Sequence, residues 1–142
     1  MIQVKHLLDD KGDRVYSIRP EDSVRDAIKS MAEHGIGALL VIDDGILVGV
    51  VTERDYARKV VLQGRASSDT KVADIMVSEP VSVLPEDSVE HCMELCTNRR
   101  IRHLPVIADG NVVGLVSIGD LVKSVISQQA EQLRQMEQYI SG

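Results

Sequence analysis

The stretch from Ala38 to Tyr56, ALLVIDDGILVGVVTERDY, decides the fold, and it returns as HLPVIADGNVVGLVSIGDL from His103 to Leu121. Each copy predicts an apolar strand, a tight turn at Asp44-Gly45 or Asp109-Gly110, and a second β-branched strand. Glycine supplies the positive φ angle that a two-residue hairpin turn requires. Each copy is therefore a predicted β-hairpin, and its strands are so apolar that we expect central strands, covered on both faces.

The repeat extends upstream without a gap at an offset of 65 residues, where Pro20–Val24 lies over Pro85–Val89. Identical residues recur at Ile36/Ile101, Leu39/Leu104, Val41/Val106, Gly49/Gly114 and Asp55/Asp120. A gapless internal repeat of this length indicates duplication of one structural unit. We therefore divide the chain into a first motif with its N-terminal segment, 1–70, and a second motif with a C-terminal helical tail, 71–142.

Composition and charge exclude several classes of function. The 16 basic and 22 acidic residues leave a net charge of −6, which disfavours nucleic acid and anionic membranes as partners. No apolar run approaches a membrane span, and the N-terminal segment does not resemble a signal peptide, so we expect a cytoplasmic protein. Cys92 and Cys96 favour apolar core positions, and a zinc site with His91 and His103 is the weaker alternative.

The remaining pattern predicts a mixed α/β fold of the α+β kind. Each motif is expected to run β-α-β-β-α, and the two are expected to pack through their sheets with a cleft between them. We predict strands at Val15–Ile18 and Val81–Val83, and a helix from Ser23 to about His34 that Ser23 caps together with Asp26, three residues later. A mobile linker is expected at Arg65–Thr70, followed by a turn of helix at Lys71–Met76 that Asp69 or Thr70 caps. The chain is expected to end in a long C-terminal helix.

The tandem repeat resembles a pair of CBS motifs, also called a Bateman module, over about residues 15 to 124. The resemblance is carried by the two Asp-Gly hairpins, by the endings G-x-V-[ST]-x-x-D, and by V-x-D-I-M at Val72–Met76. It implies a regulatory module that binds an adenine nucleotide in the cleft: AMP or NAD(H) in the first place, with ATP, ADP or S-adenosylmethionine as further ligands.

The tetrads Thr52–Asp55 and Ser117–Asp120 are candidate ligand contacts in the two copies. A carboxylate can accept hydrogen bonds from both hydroxyls of a ribose, and a helix N-terminus favours an anionic phosphate. The alternative is helix capping, because a hydroxyl residue followed three positions later by an acid begins many helices.

Basic residues break the symmetry between the copies. Arg102 and His103 align with Gly37 and Ala38, and Arg54 aligns with a glycine of the second copy. Arg102 can contact phosphate in a bidentate manner, while His103 contributes charge only when protonated. In related kinase subunits a His-Arg pair at these positions contacts phosphate, and here the order is reversed. A salt bridge to a neighbouring acid is the alternative for Arg54.

The resemblance further implies that the adenine ring lies against edge segments, which here are Tyr16, Ser17, Ile18, Ser82 and Val83. Catalytic motifs such as a nucleophile elbow, a phosphate-binding loop or a metal-binding helix are missing from the sequence, so we expect neither an enzyme nor a catalytic cofactor. We expect a homodimer that acts on an unknown regulated protein, with the segment after Ser127 packed on the second subunit. A ligand-free structural dimerisation module is the alternative function.

Overall fold

The computed structural model describes residues 2–11 and 15–141. Within them lie five α-helices and six β-strands. In chain order they are α1 Val4–Lys11, β1 Ser17–Ile18, α2 Val24–His34, β2 Ala38–Asp43, β3 Ile46–Thr52, α3 Glu53–Tyr56, a π-helical turn Ala57–Val61, a 3-10 turn Val72–Asp74, β4 Val77–Ser78, α4 Val89–Arg99, β5 His103–Ala108, β6 Asn111–Ser117 and α5 Ile118–Ser141. The predicted α+β class is confirmed, and the turn expected at Lys11-Gly12-Asp13 lies outside the described residues.

The chain forms two compact units. The first unit is Arg14–Val81, and the second unit combines Met1–Asp13 with Ser82–Gly142. These bounds differ from the sequence division at 70/71, because each unit is completed by the segment that precedes the other repeat. The division 1–70 and 71–142 stays a proposal about the repeated sequence unit.

The two completing segments dock by the same backbone hydrogen bonds. In the first unit the amide of Val72 donates to the carbonyl of Asp22 at 2.8 Å, and in the second unit the amide of Val4 donates to the aligned Asp87 at 2.9 Å. Val72 and Val4 are both fully buried. The N-terminal helix α1 is therefore an integral part of the second unit, packed on β6 and α5.

Both predicted hairpins are confirmed. Asp44 and Gly45 have φ angles of 51° and 79°, and Asp109 and Gly110 have φ angles of 52° and 80°. Positive φ at both central residues is the signature of a type I′ turn, whose twist matches that of the strands it joins. The pairing register shifts at the same place in each copy, between Val41/Ile42 and between Val106/Ile107.

The hairpins occupy different sheets. In the first unit the strand order is β1-β2-β3-β4, with β1 parallel to β2, so the hairpin strands are central as predicted. Four consecutive residues of β2 are buried, whereas the residues of β6 alternate between buried and more exposed positions. In the second unit β5 and β6 form a two-stranded sheet, which Val83 joins by a single parallel bridge to Val106. The expectation of central strands covered on both faces is therefore wrong for the second copy, where Asn111 and Val113 of β6 are exposed.

The helices that precede the hairpins begin as predicted. The hydroxyl of Ser23 accepts from the amide of Asp26 at 3.1 Å, and that of Ser88 accepts from His91 at 3.0 Å. Gly35 ends α2 and Arg100 ends α4, both in the left-handed conformation. Side-chain caps of this kind satisfy amides that otherwise lack a partner inside the helix.

Four other expectations are wrong. The strand at Val15–Ile18 covers only Ser17–Ile18, and Val81–Val83 forms one bridge rather than a strand. Thr70 does not cap the following turn, because its hydroxyl donates to the carbonyl of Ala66 and Lys71 holds the cap position without a side-chain bond. The segment 65–70 does not link the two units, because it lies within the first unit, where Thr70 is buried and its carbonyl accepts from Val24 at 2.8 Å. Its mobility stays a prediction.

Candidate functional site

The predicted tetrad of the first unit forms a complete capping box. The hydroxyl of Thr52 accepts from the amide of Asp55 at 3.1 Å. One carboxylate oxygen of Asp55, Oδ2, accepts from the amide and from the hydroxyl of Thr52, both at 3.0 Å. Capping, the alternative interpretation of this tetrad, is therefore a real role of these residues in the first copy.

Lys59 engages the other carboxylate oxygen of Asp55. Its ammonium lies 3.2 Å from Oδ1 of Asp55 and donates to the carbonyl of Ile75 at 2.8 Å. Asp55 is only 8% exposed, so both of its oxygens are committed within the first unit. The carboxylate of Asp55, which the sequence suggested as a ribose contact, thus forms a salt bridge with Lys59 of the same unit. Sequence reasoning missed Lys59, although an acid and a base four residues apart on a helix are a known pairing signal.

The second tetrad contains the same two backbone contacts as the first. Asp120 accepts from the amide of Ser117 at 2.8 Å, and the hydroxyl of Ser117 accepts from the amide of Asp120 at 3.1 Å. Asp120 is half-buried and lines a cavity of about 470 Å³ within the second unit. The position aligned with Lys59 is Ser124, whose short side chain also lines this cavity.

The cavity beside Asp120 brings together residues that the sequence did not connect. Ile2 lies just before α1, which contributes His6, Leu7 and Asp10, while α5 contributes Lys123, Ser124 and Ser127. Its lining therefore carries charges of both signs next to the ribose candidate. The cavity exists because α1 docks on the second unit through the backbone of Val4. No local signal in the sequence indicates this contact, because its hydrogen bond to Asp87 joins residues more than 80 positions apart.

The predicted cationic pair lies at the beginning of α5. The carbonyl of Arg102 accepts from the amide of Ile118 at 2.8 Å, and His103 pairs with Ser117 across the β5–β6 ladder. The side chain of Arg102 is exposed, and His103 is half-buried. Arg102 therefore stands beside the helix terminus that Ser117 and Asp120 begin.

The first copy places an acid where the second places a base. The carbonyl of Gly37 accepts from the amide of Glu53 at 3.0 Å, in the same way as Arg102 accepts from Ile118. A Cβ atom at position 37 would lie 2.9 Å from the carboxylate of Glu53, so glycine leaves room for that side chain. The helix terminus of the first copy consequently carries a negative group, which disfavours an anionic ligand there.

Arg54 and the edge segments occupy simpler surroundings. Arg54 is exposed, and Asp55 pairs with Lys59 rather than with Arg54. Tyr16 stacks on His34 with 3.9 Å between ring centroids, and its carbonyl accepts from Leu40. Ser17 and Ile18 pair with β2. Of the second pair, Ser82 is exposed, whereas Val83 is 2% exposed and both of its backbone groups bond within the second unit.

The cysteines carry no reactive signature. Cys92 and Cys96 are buried free thiols on α4. Burial raises the pKa of the Cys92 thiol to about 11, and the nearby charge of Asp87 adds to this effect. Within 2–11 and 15–141, no three His, Cys, Asp or Glu side chains gather where they could hold a metal ion.

Comparison with known proteins identifies the repeat. The family model of the CBS domain matches residues 7–62 and 72–127. The chain belongs to the CBS-domain family. Its two matches begin in the segments that cross between the units, so each sequence repeat of the CBS family contributes residues to both compact bodies.

Similarity to CBS-domain proteins extends over most of this chain, although the chain spans less than two thirds of the first curated relative. The chain is 48% identical over 127 residues to the mitochondrial CBS domain-containing protein CBSX3 of Arabidopsis thaliana, which covers 86% of this chain and 62% of that protein. A solved protein with CBS domains from Burkholderia ambifaria is 53% identical, with a TM-score of 0.87 over 90% of this chain and 96% of that one.

Two solved relatives hold ligands that contain adenosine. A CBS domain protein of Pyrobaculum aerophilum, complexed with AMP, is 28% identical with a TM-score of 0.75 and covers 84% of this chain and 89% of that chain. A CBS domain pair solved with 5′-methylthioadenosine and S-adenosylmethionine is 25% identical, with a TM-score of 0.80 over 90% of this chain and 98% of that chain.

Proposed function

We propose that the chain is a non-catalytic regulatory module that binds an adenine nucleotide, and that Asp120 holds the ribose. The observation that carries the proposal is the position of Asp120, which lies in the first turn of the 24-residue helix α5 and borders the cavity between α5 and α1. A carboxylate in this setting can accept two hydrogen bonds from a vicinal diol.

The same terminus suits a phosphate. The first amides of α5 carry the positive end of the helix dipole, and the guanidinium of Arg102 lies on the adjoining segment. Ser117, Asp120, Arg102 and His103 form the proposed principal site, with Ser82 and Val83 on the adenine side. The first copy has a weaker counterpart, because Lys59 and Glu53 compete with the ligand there. This counterpart consists of Thr52, Arg54, Asp55, Tyr16, Ser17 and Ile18.

The class of ligand follows from solved relatives that hold AMP, or S-adenosylmethionine with 5′-methylthioadenosine. We favour AMP or NAD(H), with ATP, ADP and S-adenosylmethionine as further candidates. The output is proposed to pass to a separate regulated protein, from a homodimer in the cytoplasm.

A thermal-shift screen with AMP, ADP, ATP, NAD, NADH and S-adenosylmethionine tests this function. A ligand present at 100 times its dissociation constant adds about 2.7 kcal/mol to the free energy of unfolding, which is an easily measured shift. Calorimetry then gives the affinity. If none of the six ligands binds more tightly than about 1 mM, the sensor proposal fails.

A ligand-free structural dimerisation module is the second candidate. It is favoured by the exposed apolar side chains of α5, which include Leu133, Met136 and Ile140. This candidate predicts an assembly that forms equally well with and without any of the six ligands, and no thermal shift.

A further inference from the structure

The outward face of α5 carries an apolar stripe that a single glutamine interrupts. We define the outer stripe as the six positions Val122, Ile126, Gln129, Leu133, Met136 and Ile140. Its five apolar members are 41%, 60%, 60%, 60% and 79% exposed, in chain order. Apolar surface that is exposed in a row, rather than singly, marks an interaction site.

A neighbouring stripe of the same helix already serves the second unit. Leu121 is fully buried, and Val125 and Gln128 are half-buried, so this inner face packs on the unit's own body. From 129 to 141 every residue is exposed. The outer stripe therefore begins beside the body of the second unit and continues about three turns beyond it.

The spacing of the outer stripe is that of a coiled coil. Its members follow one another at intervals of 4, 3, 4, 3 and 4 residues, which is the alternation of heptad positions d and a. Two helices with this spacing bury their stripes against each other by knobs-into-holes packing. The alternation of four-residue and three-residue intervals continues from Val122 to Ile140, which is nearly three heptads.

We propose that the outer stripe pairs with the same stripe of a second copy of this chain, as an antiparallel two-helix coiled coil. In this register Val122 lies opposite Ile140 of the second copy, Ile126 opposite Met136, and Gln129 opposite Leu133. The pairing does not depend on nucleotide binding.

Charge complementarity selects the antiparallel direction. Lys123 and Glu137 occupy the two flanking positions that meet in this register, so the dimer gains two identical ion pairs related by its twofold axis. On the opposite flank Val125 meets Tyr139 of the second copy, which covers a side chain that is otherwise 89% exposed. In a parallel pair Lys123 and Glu137 lie far apart, and neither contact forms.

At the middle of the antiparallel register, alanines meet on one flank and glutamines meet on the other. Ala130 faces Ala130 of the second copy across the twofold axis, where two methyl groups allow close approach of the backbones. Gln132 faces its own copy on the other flank, next to Gln129. The amide of Gln129 can therefore bond to Gln132 of the second copy, which fixes one register at the centre.

Two single cysteine variants distinguish the directions in the full chain. Ala130→Cys places its thiol opposite itself only in the antiparallel pair, so oxidation should give a disulfide-linked dimer on non-reducing gels. Ile126→Cys meets its own copy only in a parallel pair and should stay unlinked. Wild-type protein is the control for Cys92 and Cys96, which are buried. The proposal is overturned if Ala130→Cys stays unlinked or if Ile126→Cys links.

A second measurement follows the mass of the assembly by light scattering. Leu133→Asp should halve the mass, while Gln135→Asp, on the side of the same helix that faces away from the outer stripe, should leave it unchanged. Lys123→Glu and Glu137→Lys should each weaken association by about tenfold, and the double exchange should restore it to within about threefold. An unchanged mass in Leu133→Asp, or no recovery in the double exchange, would refute the antiparallel register.

Discussion

Replacing Lys59 with serine, the residue that the second copy has at the aligned position 124, should destabilise the first unit. The ammonium of Lys59 is 3.2 Å from Asp55 and 2.8 Å from the carbonyl of Ile75. Its side chain is 44% exposed, so solvent reduces both contributions. An ion pair of this kind contributes up to about 1 kcal/mol, and the hydrogen bond adds about 0.5 kcal/mol after the same discount, for a total of about 1.5 kcal/mol.

Urea denaturation followed by circular dichroism measures this loss. With a slope of about 1.5 kcal/mol per molar, the midpoint of Lys59→Ser should fall by about 1 M. Arg58→Ser is the matched control, because it removes the same charge from an adjacent exposed position and should change stability by less than about 0.5 kcal/mol. Equal losses in the two variants would show that the contacts of Lys59 stabilise nothing. If the ribose proposal holds, Lys59→Ser should also raise the nucleotide stoichiometry.

Three further outcomes are expected. Gly49→Ala should lower the free energy of unfolding by about 1–3 kcal/mol, and by more than Gly114→Ala does. A Cβ atom at position 49 would lie 2.8 Å from a backbone carbonyl of β4, whereas one at position 114 would meet only the end of a leucine side chain. Urea midpoints that rank the two variants the other way would contradict this. Arg102→Ala should weaken AMP by about tenfold in calorimetry and leave adenosine nearly unchanged, and equal weakening of both would disprove a phosphate contact. Alkylation of Cys92 and Cys96 at pH 8 should be far slower in the native than in the urea-denatured protein, since burial raises the pKa of both thiols.

The raised thiol pKa also fixes a direction for stability at alkaline pH. The folded pKa of Cys92 is about 11, against an ordinary value of 9.0. The folded state therefore keeps its proton where the unfolded state begins to lose it. The contribution of this thiol is fully present below about pH 8 and declines as the pH rises from about 9 towards 11.

Local chemistry made the hairpins and the caps predictable. An Asp-Gly pair between two apolar runs specifies a type I′ turn within four residues, and Ser23 caps its helix three residues away. The length of α5 was equally readable, since its apolar positions recur at helical spacing up to Ile140. Within the described residues no helix has both the length and the apolar character to cross a membrane.

Long-range pairing made the unit boundaries unpredictable. Val4 bonds to Asp87 and Val72 bonds to Asp22, and no local pattern states which repeat a short segment completes. The π-helical turn after Tyr56 was also missed, because the aligned part of the second copy continues as a regular α-helix in α5. The amide of Leu62 donates to the carbonyl of Ala57, five residues earlier.

The difference between the two candidate sites was predicted only in part. The sequence placed cations beside the second hairpin and glycine beside the first, which led to the expectation of unequal phosphate affinity. It did not show that Glu53 lies over Gly37 or that Lys59 closes Asp55, because both contacts depend on how the first helix turn meets its neighbours. These two contacts add to the asymmetry in the predicted direction.

The most direct test of the account is a calorimetric titration of AMP, or of whichever screened nucleotide binds, into the wild type, Asp120→Ala and Asp55→Ala. We expect Asp120→Ala to weaken binding by at least about tenfold, because it removes an acceptor for both ribose hydroxyls, and Asp55→Ala to leave the affinity within about twofold. An unchanged affinity in Asp120→Ala, with its circular dichroism spectrum intact, would reduce Asp120 to a helix cap and contradict the proposed site.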